Sequence, residues 1–261
     1  MTTPHSRLAW KNQLTNPKPS DAQADTLGAK PLNFYITPAH PCGYLPGRAA
    51  TSLIADLRVR VDTRLYSLLI NYGFRRSGEI IYRPQCQHCN ACVPVRIPAA
   101  DFKPRRNQRR IWQRNQDLRV ERVPVAFQDD HFRLYQRYIA SRHSGGGMDH
   151  VNPEHYIEFI KSAGIDAGLY EFRLDGQLLA VAVTDHLTQG WSAVYTFFDP
   201  EQAARGLGTF AILWQIDQVR RQGLTWLYLG YWIKECRKMS YKDQYMPMEI
   251  YRDNVWLRID T

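Results

Sequence analysis

The pair Asp175-Gly176 stands between two apolar runs and indicates how the second half of the chain folds. The runs read GLYEFRL and QLLAVAVTDHL, and an Asp-Gly pair between such runs is a strong signal for a two-residue β-hairpin. A third run, GWSAVYTFF, follows, and a helical stretch then leads into a fourth, LTWLYLGYWI. We therefore predict a mixed β-sheet flanked by helices in the C-terminal half.

Two helices are predicted ahead of this sheet. The segment DDHFRLYQRYIASRHS places Phe132, Tyr135 and Ile139 on one helical face. The segment NPEHYIEFIKSAG opens with an Asn-Pro start signal, and we predict that its helix ends at Gly164. After the third strand, DPEQAARGLG is predicted as a loop, and the helix that follows it ends at Gly223.

The first half of the chain has a different character. Residues 1–32 are polar and are predicted to form a disordered tail. In DTRLYSLLINYGF, Asp62 as an N-cap and Gly73 as a stop predict a helix, and Ser77-Gly78 predicts a hairpin after it. We predict a smaller Cys-containing α+β N-terminal domain with a basic segment at 33–125, and an acyltransferase-like domain at 126–261.

The charge balance narrows the class of partner. The 261 residues carry 34 Lys and Arg against 25 Asp and Glu, and the net charge of +9 favours an anionic partner such as nucleic acid.

No stretch reaches the roughly 20 apolar residues of a membrane span, and the N-terminus lacks the apolar core of a secretory signal. Five cysteines, three of them clustered, do not suit a secreted disulfide framework. We expect a cytoplasmic protein without membrane contact, and the sequence leaves its oligomeric state open.

The most basic segment, KPRRNQRRIWQRNQ, is a candidate RNA-binding surface. Arg106, Arg110 and Arg114 are four residues apart and share a face if the segment is helical, and Arg105 and Arg109 lie beside that face. Because the segment carries no acidic residue, contact with phosphates is favoured over a solvated charged face, which stays the alternative.

Three cysteines stand two residues apart in RPQCQHCNACVPVRIP, namely Cys86, Cys89 and Cys92. They supply three soft ligands within reach of one ion, and a closed zinc site or an iron–sulfur cluster needs a fourth. Cys42 is the best candidate for the fourth ligand, and His88 is the local alternative. Cys236 lies in the other half of the chain and is not included in the set. Reduced thiols without a metal are the alternative interpretation.

The loop before the last predicted helix contains Arg205-Gly206-Leu207-Gly208. Glycines there let backbone amides approach an anionic or carbonyl ligand, and the helix N-terminus adds positive potential. The loop and the order of elements resemble the GNAT-like superfamily that moves acetyl groups from coenzyme A to amines. Arg205 and Gly208 match its pyrophosphate loop, whereas Phe210 fills a position that is small in that superfamily. We therefore expect the acetyltransferase-like α+β fold without coenzyme A as donor; a plain connecting turn is the alternative.

Longer strings of the chain resemble the aminoacyl-tRNA-protein transferase family. The strings are FYITPAHPCGYLPGR, GFRRSGEIIYRPQCQHCNACVPVRIP, NQRRIWQRNQDLRV, SAVYTFFDPEQAARGLGTFAILWQI and LYLGYWIKECRKMSYKDQYMPMEI. The resemblance covers nearly all of residues 33–252. Chain length and cysteine spacing are most similar to the bacterial branch, the aspartate/glutamate leucyltransferases. The resemblance implies transfer of leucine from Leu-tRNA to the α-amine of an N-terminal Asp or Glu, which creates a destabilising N-terminus for degradation.

The implied reaction starts from an ester that is already activated. The site must bring amine and ester together, accept a proton and stabilise the oxyanion, so the chemistry requires no cofactor. In the family, cysteines in this region are implicated in activity and in iron–sulfur binding. As catalytic residues we predict Asp199, Tyr228 and His143. A capping role is the alternative for Asp199, and a flexible connector is the alternative for the loop ASRHSGGGMDH that contains His143.

Substrate-binding side chains are predicted around the fourth strand, where alternation places Tyr228 and Gly230 on one face and Leu229 and Tyr231 on the other. The predicted set is Arg142, Tyr195, Arg205, Gly208, Tyr231, Lys234, Arg237 and Lys238. The last three are expected near the substrate carboxylate or the tRNA 3′ end, with a solvated loop as the alternative. Three other functions stay open: an arginyl-tRNA-protein transferase, a coenzyme A-dependent N-acetyltransferase, and an RNA-binding module with a structural metal.

Overall fold

The structure is a computed structural model, and it describes residues 32–142 and 152–260. The predicted tail, except for Leu32, lies outside the described residues. The strands are β1 (Phe34–Ile36), β2 (His40–Pro41), β3 (Ala49–Ala50), β4 (Ser52–Ala55), β5 (Arg75–Ser77), β6 (Ile80–Pro84), β7 (Val93–Pro98), β8 (Arg119–Val123), β9 (Ala167–Leu174), β10 (Gln177–Leu187), β11 (Gly190–Phe198), β12 (Trp226–Trp232), β13 (Met248–Arg252) and β14 (Val255–Ile259). The helices are α1 (Thr63–Leu69), α2 (Arg106–Arg114), α3 (Asp129–Arg142), α4 (Pro153–Ile160), α5 (Leu207–Arg221) and α6 (Arg237–Ser240).

In the described part of the chain, the larger sheet has eight strands in the order β14-β13-β7-β12-β11-β10-β9-β8. β11 and β12 run parallel, and the other neighbours in this sheet run antiparallel. A second sheet, which we call the small sheet, has four strands in the order β1-β4-β6-β5. In addition, β2 pairs with β3. The chain is therefore an α+β protein with a large mixed sheet flanked by helices.

Two strands of the large sheet come from before the boundary predicted at residue 126. β7 lies between β12 and β13, and β8 forms the edge beside β9. The sequence of β7, VPVRIP, is buried at five of its six residues, as expected for a strand covered on both faces. The division into two domains stays a prediction, but the large sheet spans its boundary.

The turn and capping signals explain most element ends. Asp175 and Gly176 have φ of +47° and +86° and connect β9 to β10, so the predicted hairpin is confirmed. The Asp62 carboxylate accepts a hydrogen bond from the Leu65 amide at 2.7 Å and caps α1. Gly73, with φ of +81°, ends the 3₁₀ turn that extends this helix.

The prediction that the second helix of the C-terminal half ends at Gly164 is wrong. α4 ends at Ile160, where the backbone carbonyls of Ile160 and Lys161 accept hydrogen bonds from the Arg76 guanidinium. Gly164 is instead required by packing, because a Cβ there would lie 2.6 Å from the Val61 carbonyl oxygen.

Arg76 and Asp185 form a buried ion pair that connects β5 to β10. Both side chains are fully buried, and the Arg76 Nε lies 2.9 and 2.8 Å from the two carboxylate oxygens. The guanidinium nitrogens also donate to the carbonyls at the end of α4. This pair therefore joins the small sheet, α4 and the large sheet at one point.

Helices cover both faces of the large sheet. α2 and α5 pack on the face that carries Ala180, Ala182 and Leu229, while α3 and α4 pack on the face that carries Val181 and Val183. α1 packs against the small sheet and against the large-sheet residues Leu187 and Tyr228. In the two described ranges, no helix is long and apolar enough to cross a bilayer.

Candidate active site

β11 and β12 separate in the middle of the large sheet. Their parallel pairing joins Gly190 to Trp226, Trp191 to Leu227 and Ser192 to Tyr228. Both strands continue beyond these residues. A gap therefore opens between residues 193–198 of β11 and residues 229–232 of β12, and we call it the wedge. Backbone groups that line such a gap are not used in pairing the two strands and can bind a ligand.

A bulge in β12 shapes one wall of the wedge. Gly230 has φ of +79°, and the register against β7 shifts between Tyr228 and Tyr231. The bulge interrupts the alternation of faces, so the Arg75 guanidinium lies 5.7 Å from the ring centroids of both Tyr228 and Tyr231. The prediction that these two tyrosines lie on opposite faces is therefore wrong.

Arg75 and Lys242 converge on this bulge, and sequence reasoning missed both. Arg75 is 6% exposed and donates to the carbonyls of Val95 at 3.4 Å and Gly230 at 3.5 Å. Lys242 is 4% exposed, and its Nζ donates to the Tyr231 carbonyl at 2.5 Å. Burial, reinforced by the Arg75 charge, lowers the pKa of Lys242 to about 7.

Open space lies beside the bulge. A Cβ built on Gly230 would meet one atom within 4 Å, the Lys242 Nζ at 4.0 Å. The site therefore combines a gap between strands, a bulge with room beside its glycine, and two buried basic side chains.

The predicted catalytic residues take different positions. Asp199 is buried, accepts from the Glu201 amide at 3.1 Å and pairs with Arg137 at 3.3 Å, so its alternative capping role is confirmed. The Tyr228 hydroxyl donates to Asn71 at 2.7 Å on the face that packs against α1. His143 lies outside the described residues. The catalytic roles of all three stay predictions.

The predicted substrate-binding residues of α3 and β11 lie beside the wedge. The Tyr195 hydroxyl is buried without a hydrogen-bond partner among the described residues, and its ring packs 6.2 Å from that of Tyr138. The guanidinium of Arg142 lies 5.5 Å from the Phe198 ring centroid. Tyr231 is buried, and its hydroxyl donates to the Gly73 carbonyl at 2.9 Å.

Beyond β12, the three remaining predicted cations are all exposed: Lys234, Arg237 and Lys238. Arg237 and Lys238 begin α6, which leads towards Lys242. Their contact with substrate stays a prediction.

The glycine-bearing loop before α5 is closely packed. Arg205 pairs with Asp117 at 2.9 Å, and a Cβ on Gly208 would lie 3.0 Å from the Phe198 ring. The Phe210 ring is 3% exposed and packs in the core against Trp112 and Phe172. Substrate binding by Arg205 and Gly208 stays a prediction.

α2 carries the basic segment and confirms its helical arrangement. Gln108, Ile111 and Trp112 face the protein, with the Trp112 ring 5.5 Å from that of Phe210. The predicted RNA-binding arginines are all exposed: Arg105, Arg106, Arg109, Arg110 and Arg114. The helix therefore presents a cationic surface next to the start of α5.

Four cysteines line one cavity of about 170 Å³, namely Cys42, Cys86, Cys89 and Cys92. Cys236, which is not in the predicted set, packs in an apolar cluster with Cys42, Cys89 and Cys92. A hydrogen bond from the Ala91 amide, together with the Arg48 guanidinium, lowers the pKa of Cys89, whereas burial raises that of Cys92 to about 12.

The cysteines do not form a ready metal site. Among the described residues, no group of three or more Cys, His, Asp or Glu side chains has the spacing to hold a metal ion. The Cys42 sulfur instead accepts from the Leu45 amide, and the Cys86 thiol donates to the Thr51 carbonyl. The thiols are chemically suited to zinc or an iron–sulfur cluster, but their arrangement here does not fit either, and metal binding stays a prediction.

Comparison with known proteins gives matches along most of the chain. A family model described as arginine-tRNA-protein transferase, N terminus, matches residues 40–110, and one described as arginine-tRNA-protein transferase, C terminus, matches residues 130–252. The aspartate/glutamate leucyltransferase of Nitrosococcus oceani is 52% identical, over 86% of this chain and 95% of that protein. The enzyme of the same name from Pseudomonas fluorescens is 51% identical, over 87% and 96%.

Among solved structures, the C-terminal domain of a lysylphosphatidylglycerol synthetase from Agrobacterium fabrum, named as putative in its description, has a TM-score of 0.42 and 16% identity. The match covers 65% of this chain and 52% of that one. A likeness at this level does not bear on the chemistry of the site.

Proposed function

The chain belongs to the arginine-tRNA-protein transferase family, and we propose that its reaction takes place at the wedge between β11 and β12. It is an aminoacyl-tRNA-dependent transferase that moves leucine from Leu-tRNA to the α-amine of a protein beginning with Asp or Glu. The observation that carries this function is the identity of about half of the residues to curated leucyltransferases over nearly their full length.

The reaction exchanges an ester for an amide. The nitrogen of the substrate α-amine attacks the leucyl ester carbon and gives up one proton, the bond from this carbon to the ribose oxygen breaks, and the ribose oxygen takes up one proton. An α-amine titrates near 8, so a sizeable fraction is already neutral at physiological pH. We propose that unpaired backbone groups of the wedge orient the ester, with Tyr195 and Arg142 at its edge. We also propose that the large sheet has the GNAT-like arrangement of the acetyltransferase superfamily.

The cations after β12 suit the tRNA acceptor end better than a side-chain carboxylate. An exposed ion pair with a carboxylate contributes only about 0 to 1 kcal/mol, because water and salt screen it. Several such cations together attract the polyanionic tRNA. We therefore propose that Lys234, Arg237 and Lys238 contact the acceptor end.

Charge reversal at Arg237 is expected to weaken transfer to every N-terminus alike. The Arg237→Glu variant should lose roughly tenfold in kcat/KM, about 1.4 kcal/mol, because a repulsive charge meets the tRNA. Its melting temperature should stay unchanged, since the side chain is exposed. Kinetics equal to the wild type would contradict this placement.

The α2 surface is expected to bind the tRNA backbone. We predict that the double variant Arg106→Gln/Arg110→Gln raises the dissociation constant for Leu-tRNA. It should also lower the slope of log affinity against log salt by about 0.7 to 0.9 for each phosphate that the variant no longer neutralises. The control is Arg64→Gln/Arg133→Gln, which removes the same charge from α1 and α3. Equal salt slopes in the two double variants would argue against binding of tRNA by α2.

The transfer chemistry is expected to proceed without a metal or other cofactor, because the ester is already activated. Exhaustive dialysis against a chelator, checked by elemental analysis, should leave kcat for leucine transfer unchanged. A drop in kcat that is reversed by zinc or by cluster reconstitution would contradict the expectation. It would also support the predicted ligand set at the cysteines.

The donor assay tests the proposed function. The purified protein is incubated with labelled Leu-tRNA, Arg-tRNA or acetyl coenzyme A and with peptides beginning Asp, Glu or Ala. We expect transfer from Leu-tRNA to the Asp and Glu peptides. Transfer from acetyl coenzyme A alone, or from no donor, would overturn the proposal.

Because its donor is a tRNA, we also propose that the protein works in the cytoplasm.

A further inference from the structure

We propose that Arg75 and Lys242 are the specificity-determining residues that bind the side-chain carboxylate of the substrate's N-terminal Asp or Glu. This inference rests on the proposed function and adds the residues that recognise an acidic N-terminus.

Charge compensation distinguishes Arg75 and Lys242 from neighbouring cations of the large sheet. Arg76, which is fully buried, pairs with Asp185, and Arg96, which is partly buried, pairs with Glu249. Arg75 and Lys242 have none among the described residues, although each is at least 94% buried. Buried charges in proteins are normally paired, because removal from water is costly.

The hydrogen bonds that each side chain makes support the same assignment. The Arg75 Nε is buried without a hydrogen-bond partner in the described ranges, while its other nitrogens reach only backbone carbonyls. Lys242 donates to the Tyr231 carbonyl and to the Met239 sulfur at 3.4 Å, which is a weak acceptor. Both side chains therefore have donor capacity that an incoming carboxylate would use.

The two side chains also lie where a substrate carboxylate could be held beside the wedge. Arg75 and Lys242 bind the consecutive carbonyls of Gly230 and Tyr231, next to the open space beside Gly230 and to the separation of β11 from β12. The carboxylate of an N-terminal Asp or Glu is only a few bonds from its α-amine. A carboxylate held at the bulge therefore leaves the amine in the wedge, where the ester is proposed to lie.

An Arg next to a Lys also suits both Asp and Glu, whose side chains differ in length. The guanidinium is a planar fork, whereas the ammonium is a point charge on a flexible stem. A carboxylate at the end of either an Asp or a Glu side chain can meet one fixed and one adjustable cation. An amide of the same shape, as in Asn or Gln, would leave both cations without an anion.

The test compares isosteric substrates. The kcat/KM for leucine transfer is measured on peptides that begin with Asp and with Asn and are otherwise identical, at saturating Leu-tRNA. For the Lys242→Met variant we expect the ratio of Asp to Asn to fall by about ten- to a hundredfold, the range of a hydrogen bond to a charged group. Lys161→Met, which removes an exposed lysine at the end of α4, is the matched control and should keep the wild-type ratio.

A second variant keeps the positive charge at residue 75 but replaces the planar guanidinium with an ammonium group. Arg75→Lys should lower the same ratio, and thermal melting of both variants reports whether they fold. A structural role alone would lower transfer to both peptides equally, and an unchanged ratio in the two folded variants would overturn the proposal. If the wild type transfers no leucine to the Asp peptide, the proposed function itself fails, which separates the two outcomes.

Discussion

Replacement of Asp185 by Asn is expected to destabilise the fold by about 3 to 5 kcal/mol, the cost of leaving one partner of a buried ion pair uncompensated. Asp185 and Arg76 are both fully buried, and Arg76 also holds the carbonyls at the end of α4. Without the carboxylate, the guanidinium would stay in an apolar setting with carbonyl partners alone. The variant should therefore weaken the junction between the small sheet, α4 and the large sheet.

Denaturant unfolding of wild type and Asp185→Asn measures this effect. The matched control is Asp101→Asn, which breaks an Arg–Asp pair with Arg258 that is about half exposed and should cost less than about 1 kcal/mol. Replacing both buried partners by apolar residues, as in Arg76→Met/Asp185→Leu, should recover much of the stability. A cost for Asp185→Asn no larger than that of the control would contradict the role given to the buried pair.

Lys242 is expected to make the protein more stable as pH rises from 7 to 9. Its pKa is lowered from 10.5 to about 7 in the folded state. The unfolded chain therefore binds a proton that the folded chain releases, and stability increases with pH through this window. Integrated over the two pH units, this group alone contributes about 2 kcal/mol.

The comparison with Lys242→Met isolates this contribution. The charged or titratable groups around Lys242 are Arg75 of β5, Cys92 before β7, and Cys236 and Tyr241 on either side of α6. They are present in both proteins. Near pH 7 the variant should be the more stable by several kcal/mol, because it no longer buries an amine. The difference should shrink by about 2 kcal/mol at pH 9. A difference that does not depend on pH would show that the pKa of Lys242 is not lowered.

Local signals in the sequence predict the elements that build the large sheet. Asp175-Gly176, the Asn-Pro start of α4 and the apolar runs of β9 to β12 determine their own structure through short-range chemistry. The prediction for the end of α4 is wrong, because Arg76 lies about 85 residues away and captures its terminal carbonyls. The place of β7 in the sheet depends in the same way on contacts between distant parts of the chain.

The candidate site is predicted less completely than the fold. The sequence identifies the segment around Tyr228 and Tyr231, but a bulge with a single positive φ at Gly230 reverses which side chains share a face. Arg75 and Lys242 look like ordinary charged residues in RRSG and SYKD, and only folding shows that they are buried at one point. The one sequence signal for Lys242 is its place between Tyr241 and Asp243, in a stretch that is rich in cations.

Because this chain joins leucine to acidic N-termini, the product must carry leucine on its α-amine. Intact-mass and fragmentation analysis of an Asp-initiated peptide, incubated with Leu-tRNA and the purified protein, checks this claim. We expect one added leucyl residue on the α-amine of the Asp peptide, and far less addition to the Asn-initiated peptide. An unmodified Asp peptide, or a modification elsewhere than on its α-amine, would contradict the claim.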